Sequence, residues 1–418
     1  MRFILMLGLV SLFGDIAYEG ARAVSGPYLA ILGASAVAVG LAAGLGEFAA
    51  YALRLGSGYI ADRTGRHWPL AIIGYGLILS IPLLAVAGSW QYAAALLILE
   101  RLGKAIRGPA RDAMLSYATK RVGRGWGFGI HEALDQVGAI LGPLVLFAAL
   151  SLGIGYRWGF AFLLAPAALA LATLLAARAK VPSPEKLEAQ SAAAGIATVK
   201  ARLPKAFWLY AIFTFLSVAG FANFQLISYH FKARLIVPEG QIPALYAIAM
   251  GIDALIALAA GRAYDRIGFA SLMAIPLLTI PMPLLAFSHG YGPAAAAIML
   301  WGAVMGIHET TMRAAIADLT PAERRGSAYG IFNSIYGLSW LFGGALMGLL
   351  YERSIAALMA FAILMELASV PAILLVGRGD SRGPRSRVGL FRAHPNRRGE
   401  RHHVRKRRED LQEAQGRG

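Results

Sequence analysis

The sequence predicts an all-α membrane protein of twelve transmembrane helices, arranged as two pseudo-symmetric halves of six. Two observations lead there. The first is apolar content: 57% of the 418 residues are hydrophobic and 15% are charged, where soluble domains carry about 25% charged residues. A chain with a mean hydropathy of +0.58 cannot hide that much apolar surface in a water-soluble core, so most of it faces lipid. The second is an internal repeat. Gly58, Asp62, Arg63 and Gly65 recur as Gly261, Asp265, Arg266 and Gly268, each 203 positions later. Gly129 and Gly330 repeat at an offset of 201, and Arg111 and Arg313 at 202. A near-constant offset marks one half repeated, and two membrane halves around a mid-membrane site form a recurrent plan of secondary transporters.

Each span follows from the need for about 20 apolar residues to cross the hydrocarbon. Spans 1 to 6 fall at roughly 3–32, 35–60, 68–88, 91–117, 125–152 and 157–178, and spans 7 to 12 at roughly 206–232, 242–262, 270–288, 293–317, 326–351 and 355–376. Arg2 before the first apolar run suggests a signal peptide, but Asp15 and Glu19 interrupt the run and no A-x-A-like site follows, so span 1 is read as a membrane helix. The expected domains are residues 1–178, a cytoplasmic linker at 179–205, a second half at 206–376 and a basic, disordered tail at 377–418.

Alternate connections carry fifteen Lys and Arg residues, among them Arg63, Arg66, Arg262, Arg266 and the linker bases, against four on the opposite side. The basic side is expected to be cytoplasmic, which places both termini inside and the chain in the cytoplasmic membrane. The tail holds 13 of the Lys and Arg residues and five acids. It lacks interleaved aromatics, so the expected partner is anionic lipid and not nucleic acid. With no cysteine, disulfides and thiolate metal sites are excluded.

Ionisable groups inside spans are costly and are functional candidates. Span 1 carries Asp15, Glu19 and Arg22 on one stripe. Span 4 carries Lys104 and Arg107 near mid-depth, beside Glu100, Arg101, Arg111 and Asp112. Span 5 carries His131, Glu132 and Asp135, span 7 Asn223 and Gln225, and span 10 His308 and Glu309. Asp15, Glu19, Arg22, Lys104, Arg107, His131, Glu132, Asp135, Asn223, Gln225, His308 and Glu309 are therefore the candidate substrate and proton site. Two acids one turn apart on span 1 repel, which makes one of them a proton carrier. Some of these charges could instead be structural: Glu132 could clamp a span 4 base, and His131 could be a satisfied core histidine. No tight group of three metal ligands appears in sequence, so no metal and no cofactor is expected.

Gly58-x-Ile60-Ala61-Asp62-Arg63-x-Gly65-Arg66 resembles the loop 2–3 signature of the major facilitator superfamily, G-x-L-A-D-R-x-G-R-K, with His67 at the last basic position. The copy at Gly261, Asp265, Arg266 and Gly268 lies where that family repeats it. Arg101 is similar to the family's span 4 arginine, although Lys104 and Ala105 depart from the usual pattern. Gly138-x-x-x-Gly142-Pro143 is similar to the span 5 motif of the drug/proton antiporters, without its terminal glycine pair. The resemblance implies a cavity lined by spans 1, 4, 7 and 10, a gate formed by the loop motif, and alternating access by a monomer. It implies proton-coupled efflux of a small solute, with uptake of a small organic ion or metal complex as the alternative. A membrane enzyme or channel is disfavoured by the lack of a nucleophile or metal constellation and by the two-half repeat.

Overall fold

In a computed structural model the backbone is described for residues 1–119, 124–184, 203–320 and 325–379. The tail beyond 379 and the linker segment 185–202 lie outside the described residues. Residues Met1–Gly379 form one compact unit, and every regular element among the described residues is helical.

Span 1 is one helix, Arg2–Ile31, with Pro27 inside it, and it ends at Gly33 in the left-handed region (φ 87°). Span 2, Ala36–Thr64, begins at Ser35, whose hydroxyl accepts from the Ala38 N–H, and stops at Gly65. Gly65 has a φ of 63°, the helix-ending conformation that glycine adopts without strain. Its repeat Gly268 ends span 8 at a φ of 60°. The sequence repeat thus places a glycine with positive φ at the end of each of these two helices, although ψ differs, 7° at Gly65 and −138° at Gly268.

Span 3 is α-helical over His67–Gly76 and then tightens into 3-10 turns at Leu77–Ser80 and Pro82–Val86, where Pro82 offers no N–H to a continuing helix. Span 4 is Trp90–Thr119, span 5 is Arg124–Ser151, and span 6 combines Gly155–Phe162 with Leu164–Lys180. Span 7 is expected as one helix but is two, Lys205–Gly220 and Phe224–Ala233. Asn223 caps the second piece by accepting from the Leu226 N–H at 2.8 Å. Span 8 is Ile242–Ile267, and span 9 is assembled from Gly268–Met273, Ala274–Thr279 and Pro281–Ala286. Spans 10, 11 and 12 are Tyr291–Leu319, Arg325–Arg353 and Ile355–Gly379.

Ten described segments are long and apolar enough to cross a membrane. One of them, Glu239–Ala286, has 48 residues and comprises spans 8 and 9. Span 4 falls outside the ten because of its charges, which its neighbours bury, and adding it gives the twelve legs.

Without a hydrophobic force between helices in lipid, small residues and close packing hold the bundle. Gly138 and Gly142 of span 5 lie against the Leu12 and Ile16 carbonyls of span 1, where a Cβ would come within 2.5 and 2.3 Å. Gly40 of span 2 and Gly344 of span 11 meet in the same way: a Cβ at Gly40 would be 2.2 Å from the Gly344 oxygen. Near the 32–35 and 353–355 connections the bundle is closed. Gly26 abuts the Gln225 carbonyl there, and Glu352 accepts from the Val37 N–H at 3.1 Å. The polar interior lies toward the other end.

Candidate substrate cavity

A cavity of about 450 Å³ lies between spans 1, 2, 3, 4 and 5 on one wall and spans 8, 10 and 11 on the other. Its volume falls within the range of small-molecule sites. Its first wall is built around Glu47 of span 2. This carboxylate, 6% exposed, accepts from Arg101 of span 4 and lies 3.5 Å from Arg22 of span 1. Arg22 also pairs with Glu19 at 3.7 Å, and its guanidinium lies 5.8 Å from the centre of the Trp301 ring on span 10. Tyr246 of span 8 donates a 2.6 Å hydrogen bond to Glu19. One network therefore runs from span 4 through spans 2 and 1 to span 8.

The bases of span 4 are held one turn after another. Arg101 and Lys104 both approach the Tyr18 ring, at 4.3 and 4.4 Å from its centre. Arg107 donates to Glu100 at 2.8 Å and to the Gly74 carbonyl at 3.3 Å. Arg111 donates to Asp112 at 3.0 Å and to the Ser11 hydroxyl at 2.9 Å, and lies 3.8 Å from Asp135. Asp15 lines the cavity and makes no ion pair among the described residues.

Of the expected site residues, Asp15, Glu19, Arg22, Lys104, Arg107, Glu132, Asp135 and Glu309 line this cavity. The rest do not. His131 is buried behind it, 3.5 Å from Asp135. His308 is buried against the Phe221 and Tyr336 rings, with neither ring nitrogen in a hydrogen bond among the described residues. Asn223 is a helix cap, and Gln225 lines a second cavity of about 40 Å³ with Arg22, Glu100 and Arg101. Span 7, which the resemblance places on the cavity, contributes nothing to its lining, whereas spans 2, 5, 8 and 11 do.

Sequence reasoning passed over Glu47 and Asp253. Both are solitary acids in otherwise apolar spans, and that solitude was the available signal. Asp253 is 3% exposed, lines the second wall, and its Oδ1 has no hydrogen-bond partner among the described residues. Glu366 of span 12, also passed over, is fully buried away from the cavity and accepts from Ser217 at 3.3 Å. Among the described residues no three His, Asp or Glu side chains gather as a metal site.

In the loop motif, Gly58 faces Pro109 of span 4, where a Cβ would fit at 3.6 Å, and Arg63 donates to the Tyr59 hydroxyl at 2.9 Å. Arg66 is exposed, and the side chain of Asp62 lies outside the described residues. In the second copy, Gly261 packs near Thr310, Asp265 and Arg266 are exposed, and neighbouring Tyr264 donates to Asp318 at 3.0 Å.

A sequence profile of the Major Facilitator Superfamily matches residues 7–344 and, overlapping, 235–408. An uncharacterised protein of Mycobacterium tuberculosis is 44% identical over 373 residues, covering 88% of this chain and 91% of its own length. An uncharacterised MFS-type transporter of Methanocaldococcus jannaschii is 28% identical over 384 residues, 89% of this chain and 93% of its own. Among solved structures, the nucleoside transporter NupG superposes with a TM-score of 0.67 at 15% identity, over 90% of this chain and 99% of its own. A bacterial homologue of the human lysosomal transporter Spinster gives a TM-score of 0.63 at 14% identity, over 90% of this chain and 96% of its own. At such identities the superpositions speak for the fold alone. With its twelve helical legs, its charged cavity between the helices and a profile match over most of its length, the chain belongs to the Major Facilitator Superfamily and is a multi-pass membrane transporter, not an enzyme.

Proposed function

We propose that the protein exports a small solute across the cytoplasmic membrane in exchange for protons, by rocking of residues 1–178 against 206–376 about the cavity. The observation that carries this reading is the double hold on Glu19, by Arg22 on its own helix and by Tyr246 on the other half. A carboxylate buried at mid-membrane is costly unless it is paired. When the halves rock and Tyr246 withdraws, Glu19 keeps only Arg22, which Glu47 also engages. Uptake of a proton offsets the loss. Asp15, one turn away in the same cavity and without an ion pair among the described residues, is the group that receives the proton from the water side.

Support for coupling of helix motion to the acids comes from the span 5 glycines. Gly138 and Gly142 clamp span 1 at Leu12 and Ile16, on either side of Asp15, so a shift of span 5 bears directly on the acid stripe. Both termini and the basic tail face the cytoplasm, with the tail on anionic lipid, and the monomer is the working unit. The loop motif around Asp62 and its copy around Asp265 act as the cytoplasmic gate, with Asp62 helping to hold the outward-open state.

Inside-out and right-side-out vesicles test this. The first step identifies a solute by thermal shift of the purified protein against a compound panel. An acid interior should then drive that solute into inside-out vesicles, and a protonophore should stop it. Accumulation in right-side-out vesicles alone would make the protein an uptake permease. Accumulation indifferent to the gradient would remove the proton.

A further inference from the structure

The second cavity, of about 40 Å³, borders Arg22 and Arg101 and is lined from both halves of the bundle. Tyr18, Arg22 and Glu100 come from the first half, and Gln225, just after the break in span 7, from the second. Leu29 and Val39 line it on the side of the closed end.

The four polar residues are each more than nine-tenths buried. Each has a polar atom with no hydrogen-bond partner among the described residues: the Tyr18 hydroxyl, Arg22 Nε, Glu100 Oε2 and the Gln225 amide oxygen. The rest of Arg22 is committed to Glu19 and Glu47, and Glu100 Oε1 to Arg107. Buried polar atoms are almost always paired, with protein or with ordered water. Four of them around one small cavity point to a shared occupant.

The donor set selects that occupant. Glu100 Oε2 and the Gln225 oxygen only accept, Arg22 Nε–H only donates, and the Tyr18 hydroxyl does both. An anion here would face the Glu100 carboxylate, and a cation the guanidinium groups of Arg22 and Arg101. Water both donates and accepts, so it satisfies all four. A water needs about 10–15 Å³ of such volume, so this cavity takes about three molecules.

We propose that the cavity is an internal water site, and that its waters bridge Gln225 of the second half to Tyr18, Arg22 and Glu100 of the first. Bridging waters hold two groups nearly as well as a direct hydrogen bond. The site is thus a hydrated latch on the closed end, beside the close backbone contact of Gly26 with the Gln225 carbonyl. When the halves rock and that end opens, Gln225 withdraws and the latch parts. The inference rests on the reading of the halves as moving parts and asks nothing of protons.

X-ray radiolysis of the purified, full-length protein tests for the water. Hydroxyl radicals formed from bound water oxidise the side chains beside it, so Tyr18 and Leu29 should be oxidised although both are buried. Phe213, equally buried and outside this cavity, should not be. The latch is tested with Tyr18→Phe, which keeps the ring beside Arg101 and Lys104, and with Gln225→Leu. Removing a polar group that water satisfies destabilises, whereas removing an unsatisfied one is neutral or stabilising. Both variants should therefore lower the unfolding midpoint, by about 1–2 °C. Ala36→Cys, at a buried position packed on Gly348 at the closed end, should be labelled by thiol reagents about fivefold faster in each variant. If one variant fails to fold, the other and the radiolysis of the parent decide. Oxidation of Tyr18 and Leu29 no greater than that of Phe213, midpoints unchanged or raised in the variants, or labelling at the parental rate overturns the proposal. No gradient is used, so a protein that proves not to be driven by protons leaves this inference standing, and a dry cavity leaves the vesicle result standing.

Discussion

Tyr246 donates a 2.6 Å hydrogen bond to Glu19, a residue 227 positions away in the chain and on the opposite half of the bundle. Both residues are buried. The bond joins the acid stripe of span 1 to the half that must move against it, and it can persist only while the two halves remain in this arrangement.

Tyr246→Phe removes that bond while keeping the ring against Phe224 at 4.5 Å and Trp301 at 5.8 Å. The loss of a hydrogen bond to a charged group should cost about 1.5–3 kcal/mol. Thermal unfolding should show a lower midpoint, and proton-driven transport should fall several-fold. A variant with parental stability and parental transport would show that the bond does nothing.

Glu47 receives two buried guanidinium groups, Arg22 and Arg101. Glu47→Gln leaves both without their counter-charge. Breaking a buried pair from one side costs about 3–5 kcal/mol, so this should be among the most damaging single changes in the first half. Glu132→Gln, at an exposed position with no ion pair among the described residues, should scarcely alter stability. Pairing Glu47→Gln with Arg101→Met should recover part of the loss, and strictly additive effects would contradict the coupling.

The acids of span 1 and the bases of span 4 were legible in the sequence because ionisable residues inside apolar runs are rare, and their clusters stood out. The repeat was legible for a different reason. Gly65 and Gly268 each end a helix with a positive φ, and few residues other than glycine serve there. Asp253 and Glu47 were not singled out, since neither has a charged neighbour one turn away on its own helix. Their partners lie on other spans, Arg101 and Arg22 for Glu47, and a single sequence does not state which helix faces which. His308 and His131 failed the opposite way. They sit beside cavity acids in sequence, but the next residue on a helix is turned by about 100°, which sends His308 toward Phe221 and leaves Glu309 on the cavity. The break in span 7 at Phe221–Asn223 was hidden because apolar residues flank it without proline or glycine beyond Gly220.

Gly40 and Gly344 close the bundle at the end away from the cavity's charged half. A Cβ on Gly40 would stand 2.2 Å from the Gly344 carbonyl, so Gly40→Leu should wedge spans 2 and 11 apart there. The chain has no cysteine, so a single reporter can be read without background. With Val39→Cys, buried in the parent, thiol labelling should rise several-fold in the wedge variant. Unchanged labelling would mean the two spans do not part at this level.

Asp62→Asn should abolish most transport while leaving expression and unfolding temperature near the parental values, if the loop motif gates the cytoplasmic end. Full transport by this variant would reduce the motif to a topology anchor. A carboxyl-terminal reporter should be active on the cytoplasmic side, as the loop charges require, and activity outside alone would invert the bundle.

The most direct test of proton exchange at the acid stripe is solute accumulation in inside-out vesicles under an imposed pH gradient, compared with counterflow without one, in Asp15→Asn and Glu19→Gln. Both variants should lose gradient-driven accumulation, and one of them should still exchange labelled for unlabelled solute at a rate near the parent's. If both variants still pump against the gradient, and a protonophore leaves the parent protein unslowed, protons are not the driving ion, and Asp15 and Glu19 serve only as structural partners of Arg22 and the bases of span 4.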